Sequence, residues 1–372
     1  MANNFIYPGN TIGIINNDIN TFNLVNEAQR NGLRVGIYTD KVDTTSNLSA
    51  DFVVSGSMKD SEKLAEFAKR CDLLIYNTGR TESNLIDFLS QFTRIPQGSD
   101  ILEIMNDRLI EQTFLNELNL NTLPYVTIVE LNDIYKSIDS IGYPAILKPI
   151  QKSFFNDQQL IINNQVDIAK AAIMLDRGTY ILEPYIEHEF EYTLNVINGM
   201  EDVPKLMPLV QCRYQGKRLQ SASNLTDLSS PVIEEMNRIG YLIADQLNYF
   251  GAFKIKFLVN ANENIYIEMI EPQLDIDAMI FDRTVQSVTQ AHLRAVCGLP
   301  TYYDVNADTF YLRTFTQDQL PAIKKQWALK SDWQFVFYTK GENRHGAVGH
   351  ILIPTNSLAK TLEQVNNSDI WN

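Results

Sequence analysis

A chain of 372 residues, 45% of them hydrophobic, is long enough to bury two or three domain cores. Its formal net charge of −14 excludes a generic nucleic-acid or anionic-membrane surface, because attraction to phosphates needs a basic field. Cys71, Cys212 and Cys297 lie far apart, with no CxxC pair and no histidine close enough in sequence to suggest a structural zinc site, so they read as small buried residues of a reduced compartment. No basic leader precedes an apolar run, and no apolar run approaches the roughly 18 residues of a membrane span. The expectation is a cytoplasmic protein with a small-molecule or protein partner, and neither nucleic acid nor membrane.

In chain order, the strand 11–15 runs into a turn, Asn16-Asn17-Asp18, and then into a helical pattern over 22–31. Strands follow at 34–38, 52–54 and 73–76, with a helix over 59–70. This βαβ rhythm predicts a parallel sheet faced by helices. A helix at 109–118 leads to strands at 125–130, 145–148 and 159–162, then to a helix over 167–175 and a strand at 180–183. From 191–197 and 206–213 strands follow without crossover helices, the habit of antiparallel sheet. A helix over 231–248 precedes strands at 253–259 and 264–270, joined as a hairpin by 260–263. The remainder, from about 305, shows short strands and a helix near 358–365.

An ordered set carries more information than any one motif: Lys148 ends a strand, Glu183 ends the next, Glu191 follows shortly, and the hairpin comes late. With the phrases YPGNTIGII (7–15), IPQGS (95–99), NDRL (106–109), GYPAILK (142–148), LEPYI (182–186), FGAF (250–253), IYIEMIEP (265–272), AVCGLP (295–300) and VGHILI (348–353), this order resembles the ATP-grasp superfamily. The particular likeness is to the ATP-dependent 5-(carboxyamino)imidazole ribonucleotide synthetases of purine biosynthesis. The resemblance implies an α/β chain with a Rossmann-like pre-ATP-grasp domain (1–95), an ATP-grasp domain (96–304, its small lid part about 120–188) and a small C-terminal domain (305–372). It also implies a homodimer, and ATP or ADP lying between two sheets. Lys148 would meet the phosphates, Glu183, Tyr185 and Glu191 the nucleoside, and Arg108 the nucleotide side. For Lys148 alone, a stem covering apolar surface at a strand end is the competing reading.

The chain departs from the family where chemistry is done. The loop that should close over phosphates with glycine reads Gln151-Lys152-Ser153-Phe154-Phe155-Asn156-Asp157-Gln158, and the first turn has no glycine either. The two magnesium carboxylates of the late hairpin fall, by register, on Lys256 and Met269, neither of which binds magnesium. Strand alternation turns Glu268 away from that face and keeps Glu271 on it, which leaves both as weak metal candidates unless a bulge recruits one. An ammonium at 256 would replace part of the missing metal charge, or else point away or pair with Glu268 or Glu271.

On the substrate side, Pro272-Gln273-Leu274-Asp275-Ile276-Asp277 stands for a proline-arginine-proline-histidine run, Tyr76-Asn77-Thr78-Gly79-Arg80 for an acidic run, and Gly346-Ala347 for a basic pair. Lys340 and Arg344 remain as possible anion ligands, a solvated basic loop being the alternative. The acidic residues Glu268, Glu271, Asp275 and Asp277 read as a solvated edge or a cation site. The scattered His188, His292, His345 and His350 suit packing better than acid–base catalysis. Lost or weak ligase activity with a retained nucleotide site is therefore expected, with magnesium doubtful. An active ligase with rebuilt metal and phosphate ligands is the alternative.

Overall fold

A computed structural model describes residues 5–15, 20–40, 45–77, 81–152, 158–200, 203–272, 274–302, 308–338 and 345–371. Strands Thr11–Ile15, Arg34–Thr39, Phe52–Ser55 and Leu73–Tyr76 form a four-stranded parallel sheet, as the alternation of strand and helix predicts. Its two central strands pair Gly13 with Gly36. A β-carbon at Gly13 would lie 2.2 Å from the Leu74 side chain and one at Gly36 2.3 Å from the Phe52 ring, so glycine there is a packing requirement.

The carboxamide of Gln97, in the IPQGS phrase, completes this sheet's edge. It accepts from the Tyr76 N–H at 2.8 Å, donates to the Tyr76 carbonyl at 2.7 Å and reaches the Tyr249 hydroxyl at 3.1 Å. One buried side chain thus satisfies both backbone groups of Tyr76 and joins the first sheet to the body behind it.

A second, four-stranded antiparallel sheet has the order Val126–Ile128, Tyr180–Pro184, Ala145–Pro149, Leu160–Ile162. The third sheet has nine strands. It runs from the hairpin Ile265–Glu271 and Gly251–Val259 through Glu191–Asn198, Val210–Gln215 and Arg218–Ser223 to Phe310–Thr316, Ala347–Pro354 and Gln334–Phe337, with Lys205–Leu206 paired to Glu191–Asn198. The three strands after residue 305 continue this sheet.

Local differences from the sequence reading have local causes. The strand expected over 206–213 is split around Pro208, which has no N–H to give a ladder. The helix expected over 167–175 is a 3₁₀ turn, Gln165–Ala171, followed by one α turn, Ala172–Leu175. Elements not anticipated include the strand Arg218–Ser223, the helices Ser83–Leu89, Asp100–Asn106, Leu131–Ile141 and Val288–Val296, and the helix Leu320–Leu329, whose first turn holds Pro321. All three cysteines are free and buried, and burial pushes the Cys71 and Cys297 thiols up to about 12, which leaves them unreactive. No helix among the described residues is long and apolar enough to cross a membrane.

Two histidines are structural, as expected. His292, on the helix Val288–Val296, accepts the Ala252 N–H at Nδ1 at 2.9 Å, and burial lowers it to about 4. His350 lies 2.8 Å from the Tyr338 hydroxyl and is lowered by burial to about 3. A depressed histidine stabilises the fold above its unfolded value of 6.5. Between that value and the folded one the unfolded chain takes up the proton, so stability falls as pH falls. From pH 7 to pH 5, His292 is expected to withdraw about 2 kcal/mol. Urea unfolding of His292→Phe should show a shallower acid slope over that interval, and an unchanged slope would show that His292 does not titrate in this way.

Candidate functional site

Antiparallel pairing sets Ile146 opposite Glu183 and Lys148 opposite Ile181 on the small sheet, so Lys148 and Glu183 lie on its two central, adjacent strands. The Lys148 ammonium is 2.5 Å from Glu183 Oε1 and donates to both oxygens of Glu268, at 3.0 and 3.1 Å. Glu268 belongs to the large sheet, so one ammonium fastens the two sheets together. Burial pulls Lys148 down, but Glu268 and Glu183 outweigh it and hold the lysine charged. Burial raises Glu268, and the Lys148 charge and hydrogen bond more than reverse that.

The position of Glu268 corrects the sequence reading. Lys256 pairs with Met269 but Phe257 pairs with Ile267, so Glu268 is the extra residue of a β-bulge. Regular alternation would have turned it away; the bulge returns it to the space between the sheets. Glu271 keeps the expected face but stands 3.3 Å from the Lys254 ammonium, outside the cavity that Glu268 enters.

Lys256 pairs with neither Glu268 nor Glu271. Its ammonium donates to Glu191 at 3.3 Å and lies 4.7 Å from the Tyr214 ring centroid. Burial pulls Lys256 down, and Tyr214, Glu191, Glu271 and Asp277 together raise it well above the ordinary lysine value. The donor set therefore does not fit magnesium. One hairpin position offers an ammonium and the other a thioether, Glu268 is bound to Lys148, and no group of three or more acidic, histidine or cysteine side chains among the described residues could hold a metal ion.

Lys148, Glu183, Tyr185, His188, Glu191 and Glu268 line a cavity of about 110 Å³ between the two sheets. Small-molecule sites usually start near ~300 Å³, so the space takes only part of a nucleotide until Lys148 exchanges a carboxylate for a phosphate or the sheets part. The cavity brings together four of the six side chains assigned to the nucleotide. The fifth, Lys256, touches it through Glu191. The sixth, Arg108, is buried behind it, with Nη1 donating to the Pro149 carbonyl at 2.7 Å, and its charge still reaches Glu183 and Glu268. His188 and the inward Glu268 were missed. Only a register break, invisible to strand alternation, signals the second.

Behind the lysine strand, Lys152 lies 2.5 Å from Glu111 Oε2, and Glu111 Oε1 accepts the Ile270 N–H at 3.0 Å. Residues 153–157 of the glycine-free loop lie outside the described residues, as do 16–18 of the first turn, 78–80, Gln273, Lys340 and Arg344.

The acidic residues after the hairpin form neither a solvated edge nor a cation site. Lys254, 1% exposed, is 3.3 Å from Glu271, 3.7 Å from Asp275 and 3.8 Å from Asp277. Burial lowers this lysine, and Asp277, Glu271 and Asp275 outweigh it and keep it charged. Cross-strand pairing of Lys254 with Glu271, and a 3₁₀ turn over Ile276–Phe281 that starts at Asp275, bring the charges together.

Residues 113–274 match the model of the ATP-grasp domain family. The N5-carboxyaminoimidazole ribonucleotide synthase of Staphylococcus aureus strain MSSA476 is 23% identical over 372 residues, covering 97% of each chain. That of Bacillus subtilis strain 168 is 21% identical over 369 residues, covering 99% of this chain and 97% of the relative. Among solved structures, an N5-carboxyaminoimidazole ribonucleotide synthetase in complex with ADP superimposes with a TM-score of 0.92 at 20% identity, covering 99% of this chain and 98% of that one. An Aspergillus clavatus N5-carboxyaminoimidazole synthase in complex with ADP and 5-aminoimidazole ribonucleotide superimposes with a TM-score of 0.86 at 16% identity, covering 98% of each. At these identities the structural likeness shows the fold.

Proposed function

We propose that this chain, which has the ATP-grasp fold and resembles the N5-carboxyaminoimidazole ribonucleotide synthetases over nearly its whole length, is an adenine-nucleotide-binding or regulatory paralogue of those ligases whose own ligase activity is lost or weak. One observation carries the reading: Lys256 and Met269 face each other across the hairpin where the resemblance requires two magnesium carboxylates. Phosphoryl transfer relies on metal charge at the transferred group, and removing even one well-placed electrostatic stabiliser costs about two to three orders of magnitude in rate. Nucleotide binding needs less. The Lys148, Glu183, Tyr185 and Glu191 side chains meet at one cavity between two sheets, and the relatives' structures named above hold ADP in this fold. The Lys256 ammonium supplies positive charge next to that cavity through Glu191. The reading includes a cytoplasmic homodimer, divided near residues 95 and 304.

Calorimetric titration with ADP tests it. Binding should be the same with and without magnesium, and Lys256→Ala should weaken it by about tenfold, the worth of one charge-assisted contact. No phosphate should be released from ATP in the presence of 5-aminoimidazole ribonucleotide and bicarbonate. Magnesium-dependent turnover at ordinary enzyme rates would overturn the proposal.

The bulge favours a second reading, an active ligase with rebuilt ligands, because it brings Glu268 beside Glu183 at the same ammonium. Magnesium-dependent phosphate release that is abolished in Glu268→Gln would establish that reading instead.

A further inference from the structure

The large sheet has two faces, and the cavity just described uses one of them. Glu191 pairs with Cys212 and both belong to that face, so the next residue, Arg213, points to the reverse. There, three adjacent strands set Arg213, Ser221 and Arg313 in one cross-strand row. Neighbouring strands are about 4.8 Å apart, so the two arginines start roughly 10 Å from each other, with only a serine between them. The next row is Gln211, Ser223 and Tyr311, again with a serine in the middle. The short middle strand leaves a trough, and the C-terminal helix Leu358–Asn366 and Trp371 wall it into a cavity of about 420 Å³. A second cavity of about 200 Å³ adjoins it, sharing Gln220, Arg313 and Trp371 and adding Arg218.

The charges of this trough are poorly answered. Arg313 Nε is buried without a hydrogen-bond partner, and no carboxylate lies within ion-pair distance of that guanidinium among the described residues. Its contact is with the Trp371 ring, 5.8 Å from the centroid, and Trp371 is itself held by donating from Nε1 to the Thr314 carbonyl at 2.9 Å. Arg213 has Glu189 at 3.5 Å, with both side chains more than half exposed, a pair of little strength. Leaving a partly buried guanidinium without an acceptor is costly, and a planar fork of donors matches the two oxygens of a carboxylate or phosphate.

We infer that this trough is a binding site for a small oxyanion-bearing molecule, a phosphate or carboxylate compound held between Arg313 and Arg213 with Trp371 as its apolar wall. The volume lies within the range of small-molecule sites, beginning near ~300 Å³. The site is separate from the nucleotide cavity, on the opposite face of the sheet, and does not depend on the reading of that cavity.

Titration of the full chain at low ionic strength with inorganic phosphate, AMP and citrate tests it, read by calorimetry and by tryptophan fluorescence, with Trp371→Phe assigning the optical signal. At least one probe should bind at millimolar concentration or below, and Arg313→Gln should weaken it about tenfold or more, the loss of one charged hydrogen-bonding group. The phosphate and citrate arms separate the two sources of the anion. If Arg313→Gln does not fold, Arg213→Gln at its half-exposed position reads the same contact. No binding by any probe, or binding unaffected by both substitutions, would overturn the inference.

Discussion

Lys254→Met is expected to destabilise the fold by about 4 kcal/mol at pH 7, read as a lower denaturant midpoint with an unchanged slope. Methionine matches the length of the lysine stem, so the loss is electrostatic. What it leaves behind is Asp277, fully buried, whose two carboxylate oxygens have no hydrogen-bond partner among the described residues and whose ion-pair contact is Lys254 at 3.8 Å. An uncompensated carboxylate in that position must bind a proton or be hydrated, and either disturbs the packing of the Ile276–Phe281 turn against the large sheet.

The pH dependence of the difference separates this cause from simple misfit. In the variant, the folded carboxyl has a raised proton affinity, so the folded state holds more protons than the unfolded state between the two values. The variant then loses stability as pH rises through that window, and its deficit against the parent shrinks as pH falls from 7 towards 5. A deficit that is the same at both pH values would assign the effect to packing. Adding Asp277→Asn to Lys254→Met should recover much of the loss, and additivity of the two substitutions would rule out the coupling.

Lys254 was not singled out in the sequence, and its neighbours show why. Asp275 and Asp277 read as a solvated edge because charge clusters usually are, and only the pairing of Lys254 with Glu271 reveals a buried counter-ion between them. The parallel sheet, the strands of the small sheet, the antiparallel run from 191 and the late hairpin were legible because each rests on local periodicity. Lys148 and Glu183 were legible because they end short apolar strands whose order along the chain is distinctive. What depends on register was not. The bulge that turns Glu268 inward is one residue of slippage between two strands, and alternation presumes none. The row of Arg213, Ser221 and Arg313 joins residues a hundred positions apart, and the addition of Phe310–Thr316 to the large sheet has no local signature.

That bulge sets the second large effect: Glu268→Gln is expected to tighten ADP binding by about 10- to 100-fold. A phosphate reaching Lys148 has to take the place of one of its two carboxylates. Glu183, on the same sheet at 2.5 Å with its side chain 5% exposed, is the firmer partner. Glu268, at 3.0 Å and 16% exposed, comes from the opposite sheet and is the one to yield. A hydrogen bond to a charged group contributes about 1.5–3 kcal/mol, and glutamine keeps the shape of the side chain while giving up the charge that competes with phosphate. That range is the stated gain in affinity. Because Lys148 would then tie the sheets together less firmly, the variant should also melt at a slightly lower temperature without ligand and gain more from ADP than the parent does. Affinity that falls on substitution would mean that Glu268 serves the bound nucleotide rather than excluding it, and would shift the balance towards the active-ligase reading.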